Sequence, residues 1–394
     1  MRTVYQRLAG RDYSGYEPYD ILNSPYLSAG VFRRPPLSFA LIQFGRRLGG
    51  IRLRQLLRVP PSKNPKALGL VVAALCDMTR SGDDYWQQAK YLKSELRRLR
   101  SPREREYCWG YDWDYMSLRG TRLPAFGPNC IASYFCGEAL LDMAEVFGDR
   151  EAAEMAEAVG RFIVTRLNRS IDTHEHLCIS YTPDDKTQIL NNSALAGAYL
   201  ARLASRKSNA NYLGLARRVM NYVRDQQLTN GGWYYGTRRR QHWVDGFHTS
   251  YVLCALHEYR DHTGDRSFND CIQCGHAYYK KRFFALEGAP KYFHNRLYPI
   301  DIHSCSQAIL HYCTFVEDDS SIEKAVQMFH WTQNNMMSPD GGYFFQRHRL
   351  WTNRAEYTRW GQAWMLRALA RLRLVLRGER LVQVGDLRSV VGGS

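Results

Sequence analysis

Two acid–imidazole spacings mark this chain: Asp245 and His248 in QHWVDGFHTSYVLCAL, and Asp301 and His303 in PIDIHSCSQAIL. A carboxylate beside an imidazole orients the ring and tunes its protonation, as general acid–base chemistry requires. Each pair stands where an apolar helix begins. The acids are therefore equally good N-caps, a role worth about 1 kcal/mol, and the histidines equally good packing residues. A second set of acids, Asp112 and Asp114, lies beside Trp109 and Trp113 in CWGYDWDYM. Aromatic faces next to carboxylates suit sugar rings; a structural strand with solvated acids is the alternative.

The elements that must position these groups recur. An apolar helix, a Gly-Asp-like turn, an amphipathic helix and a short aromatic extended piece follow one another along the chain. The pairs are 67–78 with 85–99, 129–147 with 150–167, 191–204 with 212–227, 248–259 with 268–284, and 302–315 with 321–336; a sixth apolar helix, 357–376, has no partner after it. Ala139, Ala198, Ala255, Ala308 and Ala368 align at a period of roughly 53–60 residues, the logic of stacked helix pairs. The first helix of each pair is apolar nearly all round and belongs inside; the second has one polar face and belongs outside.

Five pairs and one odd helix predict a closed all-α ring, an (α/α)6 toroid with short aromatic hairpins at one end; an open solenoid also fits. Residues 37–58 are expected to supply the missing outer helix. The expected domains are an N-terminal segment over 1–60 that closes the ring, the toroid over 61–378, and a tail over 379–394. In such a ring the inner helices run parallel and their N-termini meet at one mouth, offering free N–H groups and partial positive charge to an anion. Asp245, His248, Asp301 and His303 are the candidate catalytic residues there. Trp109, Asp112, Asp114, Asn191, Asn192, Tyr234, Trp243, Tyr357, Arg359 and Trp360 are the candidate substrate-binding residues, with Asn191 also a candidate cap.

The formal charge of +16, dominated by arginine, favours acidic partners. No zinc-finger spacing, RNP-like signature or helix-turn-helix is present, so nucleic acid is not expected. Most of the ten cysteines sit in apolar helical stretches and read as small buried hydrophobes. The N-terminus has no secretory pattern, and the longest apolar run, 67–76, is half a membrane span. A cytoplasmic protein is expected. The basic stretch 37–57, with Arg46, Arg47, Arg52 and Arg54, reads either as a peripheral helix or as a contact with an anionic membrane surface. Neither a metal nor a cofactor is expected: 172–178 and Cys271-x-x-Cys274 are weak metal patterns, and there is no HExxH, P-loop or dinucleotide fingerprint.

CWGYDWDYM, the helix opening at Pro128-Asn129, CISYTP, LNNSALAGAYLARLA, GGWYYG followed by WVDGFHTSYVLCALHEY, and PIDIHSCSQAIL together resemble VpsJ-type proteins of bacterial exopolysaccharide and capsule clusters, over about residues 65–375. The resemblance implies a toroid working in polysaccharide biosynthesis on an anionic polysaccharide or lipid-linked oligosaccharide. That fold is similar to those of glycoside hydrolases, uronyl hydrolases, polysaccharide lyases and sugar epimerases, and also of terpene cyclases and prenyltransferase β-subunits, so fold alone selects no reaction. A DxDD motif and the zinc set of lanthionine cyclases are missing. Four readings stay open: carboxylate-driven glycoside cleavage through Asp245 and Asp301 or Asp112 and Asp114, epimerase or lyase chemistry through His248 and His303, a non-catalytic glycan-binding ring, and isoprenoid binding.

Overall fold

The computed structural model describes residues 1–116 and 122–391, with side chains described to residue 378 except Met116 and Arg122. Its helices are α1 (Arg2–Ala9), α2 (Leu37–Arg47), α3 (Gly50–Leu56), α4 (Pro65–Arg80), α5 (Trp86–Arg98), α6 (Cys130–Phe147), α7 (Arg150–Thr165), α8 (Leu190–Lys207), α9 (Ala210–Asp225), α10 (Gly246–Thr263), α11 (Asn269–Arg282), α12 (Ile302–Thr314), α13 (Ser321–Met336) and α14 (Trp364–Val391). Helix α14 runs into the stretch expected as a tail, and residues 392–394 lie outside the described residues.

The even-numbered helices from α4 to α14 form the inner wall. Each packs on the next, and α14 returns to α4, so the ring is closed. The partners α5, α7, α9, α11 and α13 cover the outside. This is the (α/α)6 toroid the helix pattern predicts. The turns inside two pairs follow from Gly148 and Gly264, whose φ values of 68° and 71° end α6 and α10 in the left-handed region. Asp149 then caps α7 by accepting from the Ala152 N–H at 3.1 Å.

Closure differs from the expectation in one respect. The gap between the end of α13 and the start of α5 is filled by α1, not by residues 37–58. Val4 and Leu8, four residues apart on one face, enter the main core; Arg7 pairs with Glu356, and Tyr5 sets its ring edge against Tyr85 at 5.3 Å. Helix α2 buries only Ser38, Ile42 and Gly45, too little apolar surface to join the ring. It forms a satellite core of Ile21, Leu22, Leu27 and Ile42 instead, tied down by the buried Arg54–Asp20 pair at 2.6 Å.

The aromatic pieces after the outer helices act as straps across the inner helix starts. The first N–H of α6 donates to the carbonyl of Tyr181 at 2.9 Å, that of α8 to Tyr235 at 3.1 Å, that of α10 to Tyr292 at 2.9 Å and that of α12 to Phe345 at 3.1 Å. Most straps pair only at single bridges, such as Ile189 with Gly236 and Asp245 with Phe293; the GGWYYG stretch is extended but makes no strand. The fullest example is the antiparallel three-stranded sheet 300–301, 346–347, 352–353, with 346–347 in the middle and Asp301 opposite Gln346. A repeated hydrogen bond thus sets four aromatic side chains around the mouth.

Candidate functional site

The inner helix starts do converge, but several of their N–H groups are already taken. Strap carbonyls take the first one, and side-chain caps take another: Asn64 for Ala67 at 3.1 Å, Asn129 for Ala132 at 2.8 Å, Asp245 for His248 at 3.0 Å and Asp301 for His303 at 2.8 Å. Those groups are paired as buried N–H groups must be, which leaves much of the recognition at this mouth to side chains. Asn191 is not a cap. Ile189 holds that position in α8, leaving Asn191 buried with an unpartnered Oδ1.

Asp245 is fully buried and accepts three hydrogen bonds: the His248 N–H on Oδ1, the Trp243 indole N–H on Oδ2 at 3.0 Å, and the His248 ring at 2.7 Å between Nδ1 and Oδ2. With the carboxylate as acceptor this last bond puts a proton on Nδ1, so Nε2 is the nitrogen left to exchange a proton. The His248 side chain keeps 23% of its exposure, in a cleft lined by Asn191, Trp233, Tyr234, Tyr235 and Asp245. Tyr235 stacks on Trp243 at 4.5 Å and tilts against His248 at 4.7 Å, so two aromatic rings brace the dyad.

Asp301 is also buried, and its oxygens are likewise consumed: the Trp360 indole donates to Oδ1 at 2.9 Å and the Gln346 amide to Oδ2 at 2.7 Å, beside the cap bond. Burial raises its pKa, opposed by these donors. His303 meets the Tyr251 hydroxyl through Nε2 at 2.7 Å, while its Nδ1 has no partner. Burial, then the charges of Lys66 and Arg359, hold its pKa well below the ordinary value, so His303 is neutral. Phe247 joins the two histidines, with ring centroids 4.0 Å from His248 and 4.5 Å from His303. Tyr251 lies 6.1 and 5.9 Å from the same rings.

Two basic side chains complete this wall. Lys66, in the first turn of α4, is buried with its ammonium 4.1 Å from the centroid of Phe135 and 5.2 Å from that of Trp364. Burial, then Arg359, lowers its pKa well below the ordinary lysine value. Arg359 and Trp360 are presented by a π-helical turn, 358–363, in which Gly361 and Gln362 both donate to the Tyr357 carbonyl, a distortion common at functional sites. The Arg359 guanidinium lies over Tyr111, Trp113 and Trp360 at 5.2, 5.0 and 5.1 Å. Glu17 contacts it at 3.1 Å and accepts its backbone N–H at 2.7 Å; burial still pushes the Glu17 carboxyl up to about 8.

The other expected residues divide. Tyr234 lines the cleft, stacked on His242 at 4.2 Å, and Trp243 stands behind it on Tyr235 and Asp245. Trp360 faces the wall described above. Trp109 is fully buried away from it, its indole donating to the Leu96 carbonyl at 2.7 Å. Asp112 is held by Ser62 and Asn64, and Asp114 accepts from Arg33 and from the Ala125 N–H. Both acids fasten the N-terminal segment. Asn192 spends its amide on Ile179 at 2.9 Å, and Tyr357 is buried under Arg54, 4.8 Å above its ring. Lys66, Phe247, Tyr251 and Tyr292 escape motif reading because each looks like an ordinary residue of an apolar helix or strap. Their signal was positional, in the first two turns of inner helices or on a strap.

Of the weak metal patterns, Asp172 pairs with Arg169 and Arg218, and Cys271 is buried on α11 while Cys274 is exposed. Among the described residues no group of three or more His, Cys, Asp or Glu is placed to hold a metal ion.

No protein-family model and no curated protein sequence matches the chain. Solved structures do. A cellobiose 2-epimerase from Bacillus thermoamylovorans superposes with a TM-score of 0.65 at 12% identity, over 81% of this chain and 90% of that one. A GH76 α-mannanase from Bacteroides thetaiotaomicron gives 0.61 at 12% identity, over 81% and 89%. An unsaturated glucuronyl hydrolase specific for heparin gives 0.59 at 12% identity, over 81% and 89%. At these identities the likeness establishes the shared toroid fold.

Proposed function

We propose that the protein is a carbohydrate-active enzyme that moves a proton at a sugar carbon beside a carbonyl, an epimerase- or isomerase-type reaction on an anionic glycan. One observation carries this reading. The imidazole of His248, with Nδ1 locked by Asp245, opens into the cleft on the wall it shares with His303, whereas all the candidate carboxylates are occupied as caps or ties. Glycoside cleavage needs one free carboxyl to protonate the leaving oxygen and a second to act as nucleophile or base. Asp245, Asp301, Asp112 and Asp114 offer neither. Lys66, Arg359 and the histidines likewise make a poor lining for an isoprenoid chain, which calls for an apolar one.

In the proposed reaction His248 Nε2 takes the proton from the carbon, and the electron pair left behind moves onto the carbonyl oxygen as an enediolate. The positive charge of Arg359 stabilises that oxygen in a low-dielectric wall, where such a charge acts strongly, and the Lys66 amine stands on the same wall. The Tyr251–His303 couple returns a proton to the carbon, and exchange with solvent restores both groups. Trp243, partly exposed beyond its stack on Tyr235, and Tyr234 at the cleft supply surface for sugar rings. The exopolysaccharide setting implied by the sequence resemblance supports an anionic glycan as substrate, and so does the buried Arg359 guanidinium.

The test is incubation of the protein with acidic oligosaccharides bearing a reducing end in deuterated water. Deuterium at the carbon next to the carbonyl, without chain cleavage, is expected and should vanish in His248→Gln. Unsaturated or newly reducing ends would replace this reading with lyase or hydrolase chemistry. Unchanged polymer production in a His248→Gln, His303→Gln strain would replace it with a binding role.

A further inference from the structure

We infer that the face built by α2 and α3 docks on an anionic lipid bilayer. Among the described residues, six of the fourteen exposed large hydrophobic side chains fall within residues 26–56: Tyr26, Val31, Leu37, Phe44, Leu48 and Leu56. Ordinary surfaces scatter such residues singly; clustering marks an interaction site. On α2 the exposed positions Leu37, Ala40, Phe44, Arg47 and Leu48 recur every three or four residues and make one stripe, opposite buried Ser38, Ile42 and Gly45. Phe44, Leu48 and Leu56 are 50, 69 and 75% exposed, well beyond what a covered helix leaves open.

Charge selects the occupant. No Asp or Glu occurs between Asp20 and Asp77, so the face carries no acid of its own. Arg34, Arg47, Arg52 and Arg58 are exposed there, and among the described residues none has an ion-pair partner, whereas Arg33, Arg54 and Lys63 of the same segment are paired inward. Apolar side chains flanked by unpaired arginines fit the boundary between acyl chains and anionic headgroups. No described helix is long and apolar enough to cross a membrane, so the contact is with the surface. The opposite side of α2 leads to the mouth: Arg46 lies 5.6 Å from the Tyr19 ring and within electrostatic reach of Tyr292 and Asp301. Docking therefore holds the mouth near the headgroups. Only the corollary, that the glycan handled there is lipid-linked, rests on the proposed function.

The test is sedimentation of the full chain with phosphatidylcholine vesicles, with and without phosphatidylglycerol. Binding is expected only with phosphatidylglycerol and should weaken at high salt. Arg47→Gln and Arg52→Gln should each cost about fivefold, and the pair Phe44→Gln, Leu48→Gln more than tenfold, with unchanged thermal melting as the folding control. Equal binding to both vesicles, no binding, or variants that bind like the parent would overturn the inference. So would a dimer in light scattering that the Phe44→Gln, Leu48→Gln pair converts to monomer, since a second copy would then cover the stripe. Deuterium exchange on a soluble glycan, run with the same variants, reports on the reaction independently of docking.

Discussion

The starts of α10 and α12 are built alike and end up different. Both have an aspartate cap with its oxygens filled, an indole donating to that carboxylate, and a histidine whose own N–H completes the cap. One residue of spacing separates their fates. His248 lies three positions after its cap, on the same helix face, and its ring turns back to Asp245. His303 lies two positions after Asp301, about 200° round the helix, and its ring points at Tyr251 instead. The first histidine is anchored by a carboxylate and partly open; the second is buried and neutral. A motif read as a repeated acid–base pair is therefore one Asp–His dyad and one buried Tyr–His couple, brought to the same wall by Phe247.

That contrast can be broken from either side. The largest effect is expected from His248→Gln, which should lower deuterium exchange by about 10²- to 10⁴-fold with little change in unfolding temperature. If activity survives, α10 carries no catalytic base. Asp301→Ala should behave oppositely, costing about 3 kcal/mol or more in urea denaturation, because two buried donors, the Trp360 indole and the Gln346 amide, lose their acceptor. Asp245→Asn should lie between them, with about 1 kcal/mol lost and exchange slowed at least tenfold. Equal stability losses for the Asp245→Ala and Asp301→Ala variants would erase the distinction.

Protonation sharpens the comparison further. His303 has a depressed folded-state pKa, so its contribution to stability is present above the unfolded histidine value near 6.5 and is lost as pH falls, when the unfolded chain takes up a proton the folded one refuses. The buried His311 behaves likewise. Stability should therefore decline below about pH 6.5, and His303→Phe should flatten that decline by about 1.4 kcal/mol per pH unit, read from urea midpoints across pH. The smallest effect is expected from Trp243→Phe. This indole is 37% exposed, so losing its bond to Asp245 should cost less than about 1 kcal/mol and slow exchange only several-fold, whereas Trp360→Phe, buried on Asp301, should cost more.

Much of the fold was legible because it rests on period and punctuation. Apolar helices at a repeat of about 53–60 residues, separated by Gly148-Asp149 and Gly264-Asp265, leave little choice but stacked pairs. The helix that completes the ring was not legible. Residues 37–58 offered a longer and more conspicuous candidate, yet Val4 and Leu8 of a helix of only eight residues bury more usefully. Capping at Asp245 and Asp301 could be read directly from residue type and position, but the same rule misplaces a cap at Asn191, because Ile189 is the last extended residue before α8.

By itself, then, the amino-acid order determined the inner and outer helices, the caps, and the gathering of polar groups at one end, all local consequences of helical period and terminal hydrogen bonding. The tertiary structure decided which of those groups meet. Strap carbonyls took the first N–H of four inner helices. Asp112 and Asp114 went to fastening the N-terminal segment, and Lys66, Tyr251 and Arg359 arrived from three distant stretches of chain. Those outcomes depend on distances between residues far apart in sequence and on what burial leaves unpaired, and neither is set by any local pattern.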